Sequence, residues 1–461
     1  MSYDLIVVGA GPGGYVAAIR ARQYGAERVA VVEKGHAGGT CLNVGCIPSK
    51  ALIASATRLE AVRHAATFGV QGVDPAALGI NVAALMERKN KIVTMLRGGV
   101  EQLLKGHGVE LIRGTASIPA AGQVVVNGDT LAAKNIIIAT GSTWRTLPGL
   151  PIDGTTVVVS DHMLEWQHVP ARLLIIGGGI IGCEFASMMQ SFGAAVTLVE
   201  ATESLLPGED LVIGRTLARS FAKRGITVHT GTTVEQLETT NGAAATLANG
   251  TRVEADRVLV SVGRKPYTEG LGAEALGLLN ERGFIPVDAG MQTTVPGIYA
   301  IGDVVGGMML AHVASAEAEV AVKNCLGGHV TMDYHAVPRP VFTTPEVCAV
   351  GETEKGLQAA GVRYKTGRFT YAAVGKALCA GETDGAAQVY TDENGVLLGG
   401  HVIGAEATDL GQQLCLAIQQ RLSVEDVAHT IFSHPTLSEV VKEAVEDAAG
   451  FAVHKVGPKR P

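Results

Sequence analysis

Residues 4–33 read DLIVVGAGPGGYVAAIRARQYGAERVAVVE, and residues 172–200 read RLLIIGGGIIGCEFASMMQSFGAAVTLVE. The second stretch echoes the first with one residue fewer. Each opens on a β-rich apolar run, turns through G-x-G-x-x-G and continues as a helix. Each then passes a glycine, Gly25 or Gly193, into a second apolar strand closed by an acid, Glu33 or Glu200. Strand, turn, helix, strand and acid in that order describe a dinucleotide-binding unit. Gly9 and Gly177 permit the tight turn, Gly11 and Gly179 let a pyrophosphate approach the backbone, and Gly14 and Gly182 let the helix pack closely on the strand. N–H groups at the helix start face the phosphates, and the closing Glu suits a ribose hydroxyl. One Gly-rich turn is weak evidence, because such turns are common. Here the whole pattern occurs twice.

Two copies imply two dinucleotides, FAD in one and a nicotinamide dinucleotide in the other. Glu200 favours NAD, because its carboxylate would repel a 2′-phosphate, and no basic residue follows before Arg215. Two later segments read as returns to the first unit. NIIIATGS (135–142) is a buried strand ending in a Gly turn, and GIYAIGDVV (297–305) places Asp303 at a strand's C-terminal end. Such ends line the ligand crevice of a doubly wound sheet. Asp303 there could accept a hydrogen bond from a ribityl hydroxyl, or be an ordinary turn Asp. From about Pro338 the pattern changes to short strands followed by helices, which suggests an α+β domain for subunit contact.

The chain is long enough for several domains, with 461 residues, 47% of them apolar. Lys and Arg number 37 against 44 Asp and Glu, a net charge of −7. That balance argues against nucleic-acid and anionic-membrane partners. Seven cysteines, an odd number in so long a chain, fit a reducing cytosol better than a secreted disulfide scaffold. The apolar stretch from Leu5 to Ile19 follows Asp4, lacks a basic n-region and is broken by glycines and a proline, unlike a signal peptide. No charge-free run reaches the ~20 residues that span a bilayer. The chain therefore reads as soluble and cytoplasmic.

GGTCLNVGCIPSK (38–50) holds Cys41 and Cys46. A metal site would need more ligands, and His36 is the only histidine nearby. A disulfide is possible only if residues 41 to 45 leave regular helix, since positions five apart in a helix are too distant for the bond. Gly45 supplies the freedom, and Pro48 fits the first turn of a helix starting near Cys46. A thiol at a helix N-terminus has a depressed pKa, so Cys46 would be the stabilised thiolate once the bond opens. Two ordinary buried thiols would leave these glycines and Pro48 unexplained. Lys50 lies one turn beyond Cys46 on the same face, where it could meet a flavin or simply be solvated. Glu184 could be its counter-charge, or a first-turn acid favoured by the helix dipole. Near the C-terminus, FSHPTLSEVV (432–441) holds His434 and Glu439. A His oriented by a carboxylate is a base suited to thiol chemistry at neutral pH. Thr436-x-x-Glu439 is also a capping box with Glu439 at the third helical position.

Together these residues resemble the dihydrolipoyl dehydrogenases of the pyridine nucleotide–disulfide oxidoreductase family, over nearly the whole chain. GGTCLNVGCIPSK looks like their redox-active segment without alteration. ATGS (139–142), GIYAIGDV, LAHVAS (310–315), TPEVCAVGETE (344–354) and HPTLSE are similar in content and order. The resemblance implies an α/β fold of two Rossmann-like dinucleotide-binding domains plus a C-terminal α+β dimerisation domain. Its expected parts are an FAD-binding domain (1–146), an NAD-binding domain (147–268), a central domain completing the FAD site (269–337) and an interface domain (338–461). It implies that Cys41 exchanges with dihydrolipoamide and Cys46 contacts the flavin. Lys50 and Glu184 would pair near the flavin, and His434, oriented by Glu439, would be the base, reaching the opposite subunit of an obligate homodimer. Gly114, Thr140, Gly141, Ser142, Asp303 and Ala311 would contact FAD; Val234 and Gly263 would line the NAD site. Electrons would pass from dihydrolipoamide through the Cys41–Cys46 disulfide and FAD to NAD. The partner would be a lipoylated acyltransferase or the glycine-cleavage H protein.

Relatives differ in informative ways. Mercuric reductases add a C-terminal cysteine pair, and no Cys follows Cys415 here. Glutathione reductases usually carry Lys at the position of Ser49 and basic residues at that of Glu200. A flavin-bearing structural subunit would have no need of the full set Cys41, Cys46, Lys50, Glu184 and His434. Two departures from the family pattern remain: Tyr267 where many members have Asn, and Phe432 where many have a second His.

Overall fold

The computed structural model describes residues 2–240 and 242–456. It divides into two compact units, one of Met1–Gly154, Val158–His168 and Val262–Met332, the other of Thr155–Val157, Val169–Ser261 and Asp333–Pro461. The segment expected to complete the flavin site thus clusters with the N-terminal segment, from Val262 onward. The second dinucleotide-type sheet and the C-terminal segment share the other unit.

The first unit is built on a seven-stranded sheet. Glu110–Arg113, Val29–Glu33, Tyr3–Val8 and Asp129–Ile138 lie side by side and parallel, with Ile298–Ala300 parallel to the last. Leu5–Val8 pair in register with Val29–Val32 on one side and with Asn135–Ile138 on the other. These strands are nearly continuous apolar runs because both faces are buried, one under the helices Pro12–Gln23, Val82–Gly106 and Ala311–Cys325, the other under residues 116–126 and 271–304. Gln123–Val126 and Ala116–Ala120 extend the sheet as an antiparallel meander. The helix Pro12–Gln23 starts with Pro in its first turn, where no N–H is needed, and buries Gly13, Gly14, Ala17, Ala18 and Ala21. Small residues let the helix Ala311–Cys325 come close: a Cβ on Gly13 would sit 3.1 Å from the Ala314 oxygen.

In the second unit, Thr227–His229, Ala195–Val199, Arg172–Ile176 and Arg257–Val260 repeat the parallel arrangement. A three-stranded antiparallel sheet follows its edge in sequence, Val234–Glu238, Ala243–Leu247 and Arg252–Ala255. The C-terminal segment forms a five-stranded antiparallel sheet in the order Pro338–Val341, Glu346–Gly351, Leu397–Gly404, Ala386–Thr391, Lys365–Thr370. Helices Ala407–Gln419 and Glu439–Ala448 pack on it. The second buries Val440, Val441, Ala444 and Val445, each Val contributing about 1.5–3 kcal/mol. It crosses Lys365–Thr370 at Gly367, where a Cβ would overlap the Ala444 carbonyl. Among the described residues no helix is long and apolar enough to cross a membrane.

Candidate redox and dinucleotide sites

The two glycine turns are near copies in space as in sequence. Gly9 and Gly177 hold φ of +104° and +109°, left-handed backbone open to glycine. A Cβ on Gly14 would overlap the carbonyl oxygen of Gly9, and one on Gly182 that of Gly177. The middle glycines behave differently. A Cβ on Gly179 would meet nothing within 4 Å, and one on Gly11 only the Gly39 Cα at 3.9 Å. The protein itself leaves room for a side chain there, so the need for glycine comes from what binds against the turn. Both closing acids brace their turns. Glu33 accepts hydrogen bonds from Ala10 N and Gly35 N, each at 2.7 Å. Glu200 accepts from Gly178 N at 2.6 Å and Thr202 N at 2.7 Å. Each carboxylate keeps further lone pairs for a hydroxyl.

The cysteine segment folds more regularly than its spacing suggests. Gly39–Val44 is a short helix carrying Cys41, and Cys46–Arg63 is a second helix that Cys46 begins. The break between them is confined to Gly45, rather than spread over residues 41 to 45. A Cβ on Gly45 would lie 2.9 Å from the Thr40 oxygen and 3.2 Å from the Cys41 Cα, so a larger residue would push the two helices apart. Pro48 is the third helical residue, and Lys50 follows on the face of Cys46. The Cys41 and Cys46 side chains hydrogen bond to each other. That bond and burial push the Cys41 thiol well above its ordinary range, while the Lys50 ammonium opposes them. Of the two thiols in the reduced pair, Cys41 is thus held in the neutral form by its neighbour and by burial.

His434 and Glu439 come together in the other unit. The Nδ1 of His434 lies 2.8 Å from Glu439 Oε1, and the imidazole is 75% exposed. The expected capping box is only half formed. The helix begins at Glu439 itself, not two residues earlier, with Ser438 before it. Glu439 Oε2 accepts from Thr436 N at 3.0 Å, but the Thr436 hydroxyl turns to Ser433 O, to which it donates, rather than accepting from a helix N–H. The carboxylate is thus held from both sides and aims one oxygen at His434. Burial pushes the Glu439 carboxyl up, yet the hydrogen bonds from His434 and Thr436 N hold it below the ordinary range. A depressed carboxyl stabilises the fold above its unfolded value, about 4.3, and loses that contribution as pH falls through the folded one. Glu439→Gln is accordingly expected to melt below wild type at neutral pH, with the gap closing under acid conditions. Thermal midpoints across pH check this, and a gap constant with pH would count against it.

Glu184 sits on the helix Ile180–Ser191, past its first turn and 6% exposed. It is therefore not a dipole-favoured first-turn acid; its Oε1 accepts from Phe342 N at 3.0 Å.

A family model described as pyridine nucleotide-disulphide oxidoreductase matches residues 3–318, and the dimerisation domain of the same family matches residues 337–445. The chain belongs to this family. Relatives named dihydrolipoyl dehydrogenase include one from Geobacillus stearothermophilus, 42% identical over 461 residues (98% of this chain, 97% of the relative). Another, from Chlamydia muridarum, is 40% identical over 460 residues, 98% of either chain. Among solved structures, LpdA from Mycobacterium tuberculosis is similar at a TM-score of 0.88 and 28% identity, over 96% of this chain and 99% of that one. The HOCl-induced flavoprotein disulfide reductase RclA from Escherichia coli aligns at a TM-score of 0.85 and 28% identity, with the same coverage.

The family's flavin region can be tested against the side chains present. A cleft in the first unit is lined by Gly9, Glu33, Lys34, Gly114, Thr140 and Tyr267. Thr140 Oγ1 is buried there without a hydrogen-bond partner, a group left for a ligand to satisfy. Gly114 donates its N–H to Glu33 O at 3.0 Å, and Gly141 accepts from Tyr267 N at 3.0 Å. The Ser142 hydroxyl donates to Asp303 Oδ2 and accepts from Arg264 Nε, the latter at 2.6 Å. Ala311 opens the helix Ala311–Cys325, so its N–H is one of the free donors at a helix start. Open space at Gly11, the orphaned hydroxyl and these donors fit a dinucleotide. In the other unit Val234 begins a strand, and in the first Gly263, at φ +102°, accepts from Arg145 N.

Sequence reasoning overlooked two groups. Lys34 places its Nζ 3.4 Å from the Tyr267 ring centroid, which gives the departure at Tyr267 a local role. Arg264 fixes Ser142 and lies 3.9 Å from Asp303. Neither contact has a local sequence signal. Phe432, the other departure, packs against the C-terminal core beneath Lys442. Glycine geometry makes a paired prediction. Gly179→Ala is expected to keep fold and flavin but raise the KM for NAD+ by roughly tenfold or more, whereas Gly11→Ala purifies depleted of flavin. Gly177→Ala would instead cost ~1–3 kcal/mol from its backbone alone. Flavin absorbance, melting curves and NAD+ titrations separate the three.

Proposed function

We propose that the chain is an NAD-dependent dihydrolipoyl dehydrogenase that oxidises protein-bound dihydrolipoamide to lipoamide. The observation that carries the reading is the pair Cys41 and Cys46, hydrogen-bonded at a helix start and adjoining the first dinucleotide turn through Gly39 and Gly11. The relatives' names support the substrate. With the pair oxidised, a substrate thiolate attacks Cys41 Sγ and the Cys46 thiolate leaves, stabilised by its helix start. The second substrate thiol then attacks the sulfur already joined to Cys41. Lipoamide forms, Cys41 is released, and two electrons remain on the cysteine pair. His434 takes the proton from the incoming thiol, held in orientation by Glu439. In the homodimer this base would be His434 of the partner subunit, since the chain carries the family's dimerisation domain.

FAD when bound supplies the electron transfer that links the dithiol to NAD+. Gly9, Gly11, Gly14, Glu33, Gly114, Thr140, Gly141, Ser142, Asp303 and Ala311 would hold it, with Lys50 beside it. Gly177, Gly179, Gly182, Glu200, Val234 and Gly263 would hold NAD. The lipoyl group would arrive on an acyltransferase or on the glycine-cleavage H protein, in the cytoplasm. Purified protein given dihydrolipoamide and NAD+ should produce NADH, and far less NADPH with NADP+. No NADH from dihydrolipoamide, with a flavin that NADH reduces readily, would refute the substrate.

A further inference from the structure

The two dinucleotide turns are tied by the same bond, but the chain beyond each is secured differently. After Glu33, Gly38 N donates to Ala10 O at 2.8 Å; after Glu200, Leu206 N donates to Gly178 O at 2.8 Å. Both residues are left-handed, Gly38 at φ +94° and Leu206 at +54°. Glycine takes that backbone freely, whereas a leucine keeps it only where its surroundings over-determine it. From Gly38 the chain enters the cysteine helix directly. From Leu206 it runs to Glu209 and Asp210, and the C-terminal segment grips both.

Arg339 donates from Nε to Glu209 Oε1 at 2.7 Å and from its terminal nitrogen to Oε2 at 3.0 Å. This fork-to-fork pair is largely shielded, with the side chains 16% and 12% exposed. Asp210, 7% exposed, accepts from Glu354 N at 2.8 Å and from the Tyr390 hydroxyl at 2.7 Å, and His401 Nδ1 lies 3.3 Å away. Between Glu200 and this clamp there is little slack. Thr202 N donates to Glu200, and its hydroxyl to Ser204 O at 2.9 Å. A Cβ on Gly178 would lie 2.8 Å from Leu205 Cδ2 and 2.9 Å from Glu200 Cβ, so loop, acid and turn are in close packing.

We infer that Arg339 is a positioning residue for the nicotinamide dinucleotide site. Through Glu209 it holds the 201–210 loop, and with it Glu200, against the second glycine turn; Asp210 with Tyr390 and His401 is the second point of the same clamp. This rests on the reading of residues 172–200 as the NAD site. Without Arg339 the Glu209 carboxylate loses a shielded partner, Leu206 can leave its left-handed backbone, and the acid meant for the ribose is no longer fixed. The clamp's hydrogen bonds run to none of Cys41, Cys46, His434 or Glu439. Reduction by dihydrolipoamide should therefore proceed unchanged.

The test uses the flavin-loaded enzyme. Arg339→Met is expected to raise the KM for NAD+ by roughly tenfold while flavin reduction by dihydrolipoamide without NAD+ keeps its rate. Glu209→Met should do the same, and the double variant should cost no more than either alone. Arg363→Met, which breaks only an exposed pair with Glu393, is the control and should leave KM at the wild-type value. A wild-type KM in Arg339→Met overturns the inference. If that variant does not fold, Arg339→Lys decides on the same readout, since it keeps the charge but not the fork. Wild-type enzyme that saturates with NADP+ and not with NAD+ would instead refute the NAD reading itself.

Discussion

Cys46→Ser is expected to lose NADH formation from dihydrolipoamide by at least about a thousandfold while still binding flavin. Cys46 opens the helix Cys46–Arg63, where the free N–H groups favour a thiolate leaving group. A serine cannot form the disulfide, so the substrate has no sulfur to attack. The substitution removes little volume, and Gly45, which sets the approach of the two helices, is untouched. Flavin absorbance and its reduction by NADH should therefore survive. Full lipoamide activity in Cys46→Ser would sink the mechanism.

His434→Gln should lower turnover with dihydrolipoamide by roughly a hundredfold to ten-thousandfold, the range for loss of a positioned base. The need for that base follows from the substrate thiol, which must lose its proton before it attacks Cys41 Sγ. His434→Gln gives up the same bond to Glu439 as Glu439→Gln does, so its melting temperature should fall by no more than that variant's. Flavin reduction by NADH, which needs no proton from the substrate thiol, should be unaffected. Turnover close to wild type, or an equal loss in the NADH-driven step, would remove His434 from the base role and leave it as the polar end of a helix start.

What could be read from sequence follows the range of the interactions. The two glycine turns were legible because strand, turn, helix and acid all fall within 30 residues, and their bonds are local. The break at Gly45 was legible for the same reason, although Gly39–Val44 proved helical because a single glycine suffices to redirect the chain. The helix start at Glu439 was misread by two residues because the Thr436 hydroxyl found Ser433 O, a competitor that spacing does not reveal. Glu209 and Arg339 lie 130 positions apart, and Tyr390 and Asp210 lie 180 apart. No period or motif announces such pairs, so the clamp emerged only from the folded chain. Lys34 over Tyr267 belongs with them.

The most direct measurement is a single anaerobic turnover. Oxidised enzyme is mixed with limiting dihydrolipoamide, then with NAD+, while flavin and NADH absorbance are followed together. One NADH should form for each dihydrolipoamide consumed, with Cys46→Ser giving none. Flavin that stays oxidised with dihydrolipoamide, or NADH formed equally well by Cys46→Ser, would contradict it.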